Sequence, residues 1–251
     1  MATKGAAFDL VDWKLRLSDP WYQLVVKMLL SVAPTFDGRE ILEIGCGVGG
    51  FCVNVAQRGA KVVGVDLSPR AVRKGRDLAK QLGLERRVDF LVADALHLPF
   101  RDGVKETVVC CEVLEHVPDH KKGFSELVRV TKKSGYLCLT VPNLVSSLLF
   151  EVIILRLVGQ PGYVKQQVCV EKEDVFDVFK LRRLLDRKDL RVMKVTSANF
   201  FHVPPRVKRA LKAGRVLQTA SERIGSCFET HNLPFRLMGA NLGVLARKEC
   251  C

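Results

Sequence analysis

The residues of this chain with the types and spacing to do chemistry begin at Ile41–Gly50, ILEIGCGVGG. An apolar run breaks there into glycine at Gly45, Gly47, Gly49 and Gly50, and FCVNVAQRG then resumes at helical spacing. A buried strand, a tight turn and a helix start in that order let the main chain approach a ligand closely, with free amides at the helix start as donors. Asp66 ends the next apolar run, KVVGVD, where an acid can accept hydrogen bonds from both hydroxyls of a ribose. Further on, Glu112, Glu115 and His116 form E-x-x-E-H. At i, i+3 and i+4 they are expected on one helical face, where two carboxylates and an imidazole suit a hard divalent cation such as magnesium or manganese. No Gly-Lys-Ser/Thr follows the glycines, which argues against a P-loop, and E-x-G-x-G-x-G differs from the G-x-G-x-x-G of an NAD site.

The elements that must hold these residues alternate regularly. Strands are predicted at 40–44, 61–66, 88–93, 106–111 and 136–141, with a sixth at 191–196 and a last at 240–246. Ser68-Pro69 opens a helix that runs through Leu82, with Ser68 at the N-cap and Pro69 at N1, and Gly83 stops it. Alternating strands and helices imply a parallel sheet covered on both faces, which binds ligands beyond the carboxyl ends of its strands. Gly45, Asp66, Asp94 and Cys111 all fall at such ends. In front of the sheet, WYQLVVKMLLSV (21–32) has the apolar period of a helix. Trp13, Arg16, Trp21 and Tyr22 either lid a ligand or simply pack this segment onto the sheet. EDVFDVFKLRRLLDRKDL reads as an amphipathic helix leading into the sixth strand.

The 251 residues suit one α/β domain with an elaboration. A formal net charge of +13 attracts nucleic acid, an acidic membrane surface or an acidic substrate, or else marks a solvated basic surface. Nine cysteines, an odd number without C-x-x-C pairs, read as reduced buried thiols of a cytoplasmic protein and not as a disulfide scaffold or zinc site. Cys250-Cys251 does not match C-a-a-X, and no signal peptide is expected in MATKGAAFDL. The most apolar stretch, 144–159, is shorter than the roughly 20 residues a bilayer span needs. It is either a buried helix or an insertion touching lipid or walling an apolar pocket. Residues 206–223 are predicted to form a strongly basic helix, suited to phosphates of lipid or RNA or left as a solvated face.

Glu43-Ile44-Gly45-Cys46-Gly47-Val48-Gly49, Asp66 and VADALHLPF (92–100) together resemble the S-adenosylmethionine-dependent class I methyltransferases. The resemblance is close over about residues 36–143 and looser at the last strand. It implies a Rossmann-like, seven-stranded, mostly parallel sheet with helices on both faces and an antiparallel seventh strand. It also implies S-adenosylmethionine as cofactor. Glu43, Gly45, Cys46, Gly47, Gly49 and Leu67 would then belong to the donor pocket, with Asp66 at the ribose, Asp94 and Ala95 at the adenine, and Cys111 beside the methionine moiety. Residues 1–35 would be a helical lid and 36–251 the methyltransferase domain, elaborated at about 144–239.

EVLEHVPD is similar to the matching segment of ubiquinone-biosynthesis O-methyltransferases. That implies Glu112, Glu115 and His116 as metal ligands for Mg2+, or His116 with Glu115 as the catalytic base pair. Related enzymes carry Glu-His there without a metal. Small-RNA 2′-O-methyltransferases share E-x-x-E-H but add a later histidine, and here none follows Asn143 until His202. With the apolar stretch 144–159, this favours O-methylation of a small hydrophobic or lipid-like acceptor by a cytoplasmic protein peripheral to an anionic membrane. RNA methylation through the 206–223 helix, or a non-catalytic S-adenosylmethionine-binding module, stands as the alternative.

Overall fold

The computed structural model describes residues 20–143, 176–198 and 241–249. The described elements run α1 (Pro20–Leu30), β1 (Glu40–Ile44), α2 (Gly50–Gln57), β2 (Lys61–Asp66), α3 (Pro69–Gln81), β3 (Val88–Val92), β4 (Lys105–Cys111), a 3-10 turn (Leu114–His116), α4 (His120–Val130), β5 (Thr131–Pro142), α5 (Val178–Leu185), β6 (Leu190–Ala198) and β7 (Asn241–Lys248). The strands form one sheet in the order β3-β2-β1-β4-β5-β7-β6. The pairings from β3 to β5 are parallel, and β7 runs antiparallel to both β5 and β6. This is the seven-stranded Rossmann-like sheet expected. The stretch 144–159, the basic 206–223 segment, Trp13, Arg16, Cys169, His202 and Cys250-Cys251 lie outside the described residues.

Side chains alternate across the sheet with the two-residue period of a strand. On β1, Ile41 joins one core while Leu42 and Ile44 join the other; on β4, Val109 and Cys111 oppose Val108 and Cys110. The first core is covered by α1, α2 and α3 through Met28, Leu29, Phe51 and Leu78, and the second by α4 and α5 through Phe124, Leu127 and Leu181. With both faces covered, β1 and β4 read as nearly continuous apolar runs. Of the expected aromatic lid residues, Tyr22 stacks on Phe51 with ring centroids 5.9 Å apart, and Trp21 packs against the same core. Arg39, buried beneath α1, donates to the Leu29 carbonyl and to Thr107 Oγ1, both at 3.3 Å, and so ties the helix to β4.

Caps fall where the sequence places them: Ser68 Oγ accepts from the Ala71 amide, and Pro69 stands at the first helical position. The strands differ from expectation at their ends. β3 stops at Val92, although the Ala93 amide still donates to the Asp66 carbonyl. β5 starts five residues early, because Thr131 continues straight out of α4 and pairs with Lys105 before a register shift, and Ser134 takes a positive φ of 61°.

The segment after β3, which carries Asp94 and Ala95, is fastened to α4 by the side chains of Lys122, Glu126 and Arg129. Arg129 donates to Glu126 Oε1 at 2.6 Å, to Asp102 Oδ1 at 2.7 Å, and to the carbonyls of Phe100 at 2.8 Å and Leu98 at 3.1 Å. Glu126 Oε2 in turn accepts from the Leu98 amide at 2.8 Å. Arg129→Ala removes the charged donor from this half-buried network and is expected to cost about 2 kcal/mol in urea unfolding. A change within about 0.5 kcal/mol, the ordinary surface value, would show that packing alone holds the segment.

Candidate donor and acceptor site

The glycine turn is built by the neighbouring strand. The amides of Gly45 and Cys46 both donate to the Val65 carbonyl, at 2.7 and 3.0 Å, which bends the chain out of β1 across the end of β2. The Gly47 amide then donates to Asp66 Oδ2 at 2.8 Å, while Asp66 Oδ1 accepts from the Ser68 amide at 2.9 Å. Each carboxylate oxygen keeps a further acceptor position for a ligand hydroxyl. Gly49 has φ 79°, and a Cβ there would lie 2.3 Å from the Phe90 ring, so only glycine lets the turn sit on β3. At Gly47, φ 54°, a Cβ would meet nothing within 4 Å: the space above the turn is open. Leu67, immediately after the acid, leaves 70% of its surface exposed, an apolar face beside the carboxylate. Open backbone, an acid with spare acceptor capacity and an exposed apolar side chain fit the methionine, ribose and adenine parts of S-adenosylmethionine, in that order.

The other expected donor-site residues surround this unit. Asp94 caps its own turn by accepting from the Leu96 amide at 2.9 Å, and Ala95 packs at the margin of the second core. Cys46 and Cys111 are buried. Burial pushes the Cys111 thiol well above its ordinary range, which keeps it protonated and unsuited to act as a nucleophile.

Glu43 lies beneath the turn. It is buried, its Oε2 accepts from the Cys52 thiol at 2.8 Å, and its Oε1 has no partner among the described residues. Burial raises its pKa to about 8, against the opposing effect of the Cys52 hydrogen bond, so the side chain is mostly a neutral carboxylic acid at pH 7. It therefore acts toward Cys52 of α2 as a neutral hydrogen-bonding group rather than as a charge.

E-x-x-E-H does not lie on one helical face. Glu112 has φ 53°, in the left-handed region, and α4 begins only at His120; between them stands a single 3-10 turn over Leu114–His116. Asn241 Nδ2 donates to Glu112 Oε2 at 2.8 Å, turning that carboxylate toward β7. Glu115 is 3% exposed, whereas His116 is 56% exposed, with Nε2 3.9 Å from Glu115 Oε1. Among the described residues no group of three His, Cys, Asp or Glu side chains is placed to hold a metal ion. The expectation that Glu112, Glu115 and His116 share one helical face is corrected, because left-handed backbone at Glu112 breaks the helical spacing, and nothing among the described residues supports Mg2+ there. The Glu115–His116 pair remains together. Sequence reasoning missed Thr140 and Asn241, which flank Glu112 from β5 and β7; only strand pairing brings them there.

A test of the buried acid follows from linkage. A carboxyl raised from about 4.3 in the unfolded chain to about 8 in the folded one binds an extra proton in the native state, so its contribution is fully present below about pH 4 and lost as pH rises toward 8. Glu43→Gln imitates the neutral acid without titrating. Its stability relative to the parent chain is expected to improve steadily from pH 5 to pH 8 in denaturant unfolding, and a pH-independent difference would refute the neutral-acid assignment.

Comparison with known proteins agrees with this geometry. A methyltransferase domain family matches residues 42–139, from β1 through most of β5. Norajmaline N-methyltransferase of Rauvolfia serpentina is 46% identical over 129 residues, 51% of this chain and 41% of that protein. The chloroplastic tocopherol O-methyltransferase of Arabidopsis thaliana is 40% identical over 98 residues, 39% of this chain and 28% of that protein. The matched segment thus spans less than half the length of these relatives. Among solved structures, geranyl diphosphate methyltransferase in complex with GPP and sinefungin aligns with a TM-score of 0.61 at 22% identity, covering 90% of this chain and 77% of the other. The [4+2]-cyclase SpnF aligns equally well, with a TM-score of 0.61 at 20% identity over 91% of this chain and 81% of its own, so the fold alone does not specify the reaction. The methyltransferase domain family thus matches the part of the chain, 42–139, that carries the glycine turn tied to Asp66.

Proposed function

We propose that the chain transfers a methyl group from S-adenosylmethionine to an oxygen of a small, largely apolar acceptor. The observation that carries the donor half is the Asp66 carboxylate hydrogen-bonded to the open glycine turn, with Leu67 exposed beside it. S-adenosylmethionine, when bound, supplies a sulfonium-activated methyl group for in-line displacement. The chain's own work is to align donor and acceptor and to take the acceptor's proton. His116, exposed at the carboxyl end of β4 and next to the Glu115 carboxylate, is suited to that proton transfer, with Glu115 orienting its ring. The tocopherol O-methyltransferase relative supports an oxygen acceptor on an apolar molecule. The norajmaline N-methyltransferase relative favours nitrogen as a second reading. A net charge of +13 supports contact with an anionic membrane surface, or alternatively with RNA.

The test is transfer of labelled methyl from S-adenosylmethionine into fractionated cell extract. Label is expected in the organic-soluble fraction, with parallel runs in magnesium and in EDTA to read metal assistance; label confined to RNA would overturn the acceptor. Asp66→Ala should weaken donor binding by about 2–5 kcal/mol, the value of two charge-assisted hydrogen bonds, and unchanged affinity would refute the ribose assignment. His116→Ala should lower kcat by roughly 10²–10⁴-fold with donor affinity retained; an unchanged kcat removes His116 from the proton-transfer role.

A further inference from the structure

The carboxyl ends of β4 and β5 carry a group of buried polar atoms that the fold does not use. Thr140 is fully buried on β5 and Asn241 is 7% exposed at the start of β7. Glu112, the residue that leaves β4, is joined to β5 through its amide, which donates to the Thr140 carbonyl at 3.0 Å. Asn241 Nδ2 holds Glu112 Oε2. That leaves Glu112 Oε1, Thr140 Oγ1 and Asn241 Oδ1, none of which has a hydrogen-bond partner among the described residues. Burial raises the Glu112 pKa to about 7, against the opposing effects of Thr140 and Asn241, and the Thr140 hydroxyl facing it makes no hydrogen bond of sound geometry with it. A buried polar atom left unpaired costs about 1–3 kcal/mol, and here such atoms gather around one residue. Glu112 also holds a left-handed φ that is uncommon outside glycine, the kind of backbone strain that collects at functional sites. The group directly follows Cys111, on the edge of the sheet where parallel α/β folds bind ligands.

What the unpaired atoms share is the ability to accept a hydrogen bond. A methyl ether or a saturated ring offers them nothing, whereas a molecule with an O–H or N–H satisfies them. We propose that Glu112, Thr140 and Asn241 form an accepting subsite that receives the O–H or N–H of the methyl acceptor. Asn241 acts as the positioning residue that fixes the Glu112 carboxylate. The subsite admits the acceptor before methylation and holds it less well once the donor hydrogen is gone, so it separates substrate from product. It rests on the methyltransferase reading above and adds which acceptor group is recognised and by which side chains.

The test uses the full chain saturated with S-adenosylhomocysteine and three probes of one shape: para-butylphenol, para-butylaniline and para-butylanisole. By calorimetry, the phenol or the aniline is expected to bind roughly 10-fold more tightly than the anisole, the value of about one hydrogen bond. Which of the two binds better distinguishes an O–H from an N–H acceptor. Thr140→Val, which keeps the side-chain shape, and Asn241→Leu are each expected to abolish the preference while leaving S-adenosylhomocysteine affinity unchanged. In turnover they raise KM for the acceptor more than they lower kcat. A merely structural role would weaken all three probes alike. Equal binding of the probes by the parent chain, or no binding of any, overturns the proposal and leaves the polar atoms to water. A preference that survives Thr140→Val overturns it as well, even if Asn241→Leu does not fold. Loss of S-adenosylhomocysteine binding in the parent chain is a different result: it sinks the donor reading itself.

Discussion

Everything at the carboxyl edge of the sheet depends on the hand-over between β1 and β2. Two consecutive amides of the glycine turn share the Val65 carbonyl, and the third contact, from Gly47 to Asp66, makes the turn and the acid one rigid unit. The glycine turn has the buried Cys46 side chain as an anchor, and the Gly47 amide joins the Ser68 amide in fixing the Asp66 carboxylate at the strand end. Because the contacts are made by backbone groups against the strand next door, the geometry follows from parallel pairing of β1 with β2 and needs little from side-chain identity beyond the glycines and one carboxylate.

Below this unit the protein tolerates a buried acid. Glu43 takes a place on β1 where its neighbours Leu42 and Ile44 face the opposite core, and it is kept there as a neutral group hydrogen-bonded to Cys52. Removing an ionised carboxylate from water would cost far more than the single contact returns. Protonation avoids that cost and leaves a polar side chain under the loop without a charge competing with Asp66 above it.

Much of the fold was legible in the sequence because periodicity, caps and glycine turns are local. The strand from Glu40 to Ile44, the helix capped by Ser68 and the acid at Asp66 each announce themselves within a few residues. What was not legible depended on through-space pairing. E-x-x-E-H looks like one helical face in sequence, yet Glu112 leaves β4 with a left-handed φ, and the facing positions dissolve. Thr140 and Asn241 are separated by a hundred residues and carry no motif; the β5–β7 ladder brings them beside Glu112. The early start of β5 was likewise hidden, because Thr131 continues directly from the helix before it without a turn signal.

The place of β7 in the sheet bears on how the chain is made. Residues 241–248 insert between β5 and β6, and β6 has no other described strand to pair with. On the ribosome, where about 5–20 residues emerge each second, β6 therefore waits on the order of a few seconds for the strand that joins it to the sheet. During that interval no described strand pairs with this edge of β5, and an edge left unpaired is the kind of surface that recruits other chains. Between the emergence of β6 and that of β7, β5 thus has no described strand on this edge, whereas β1, β2 and β4 already have their parallel neighbours.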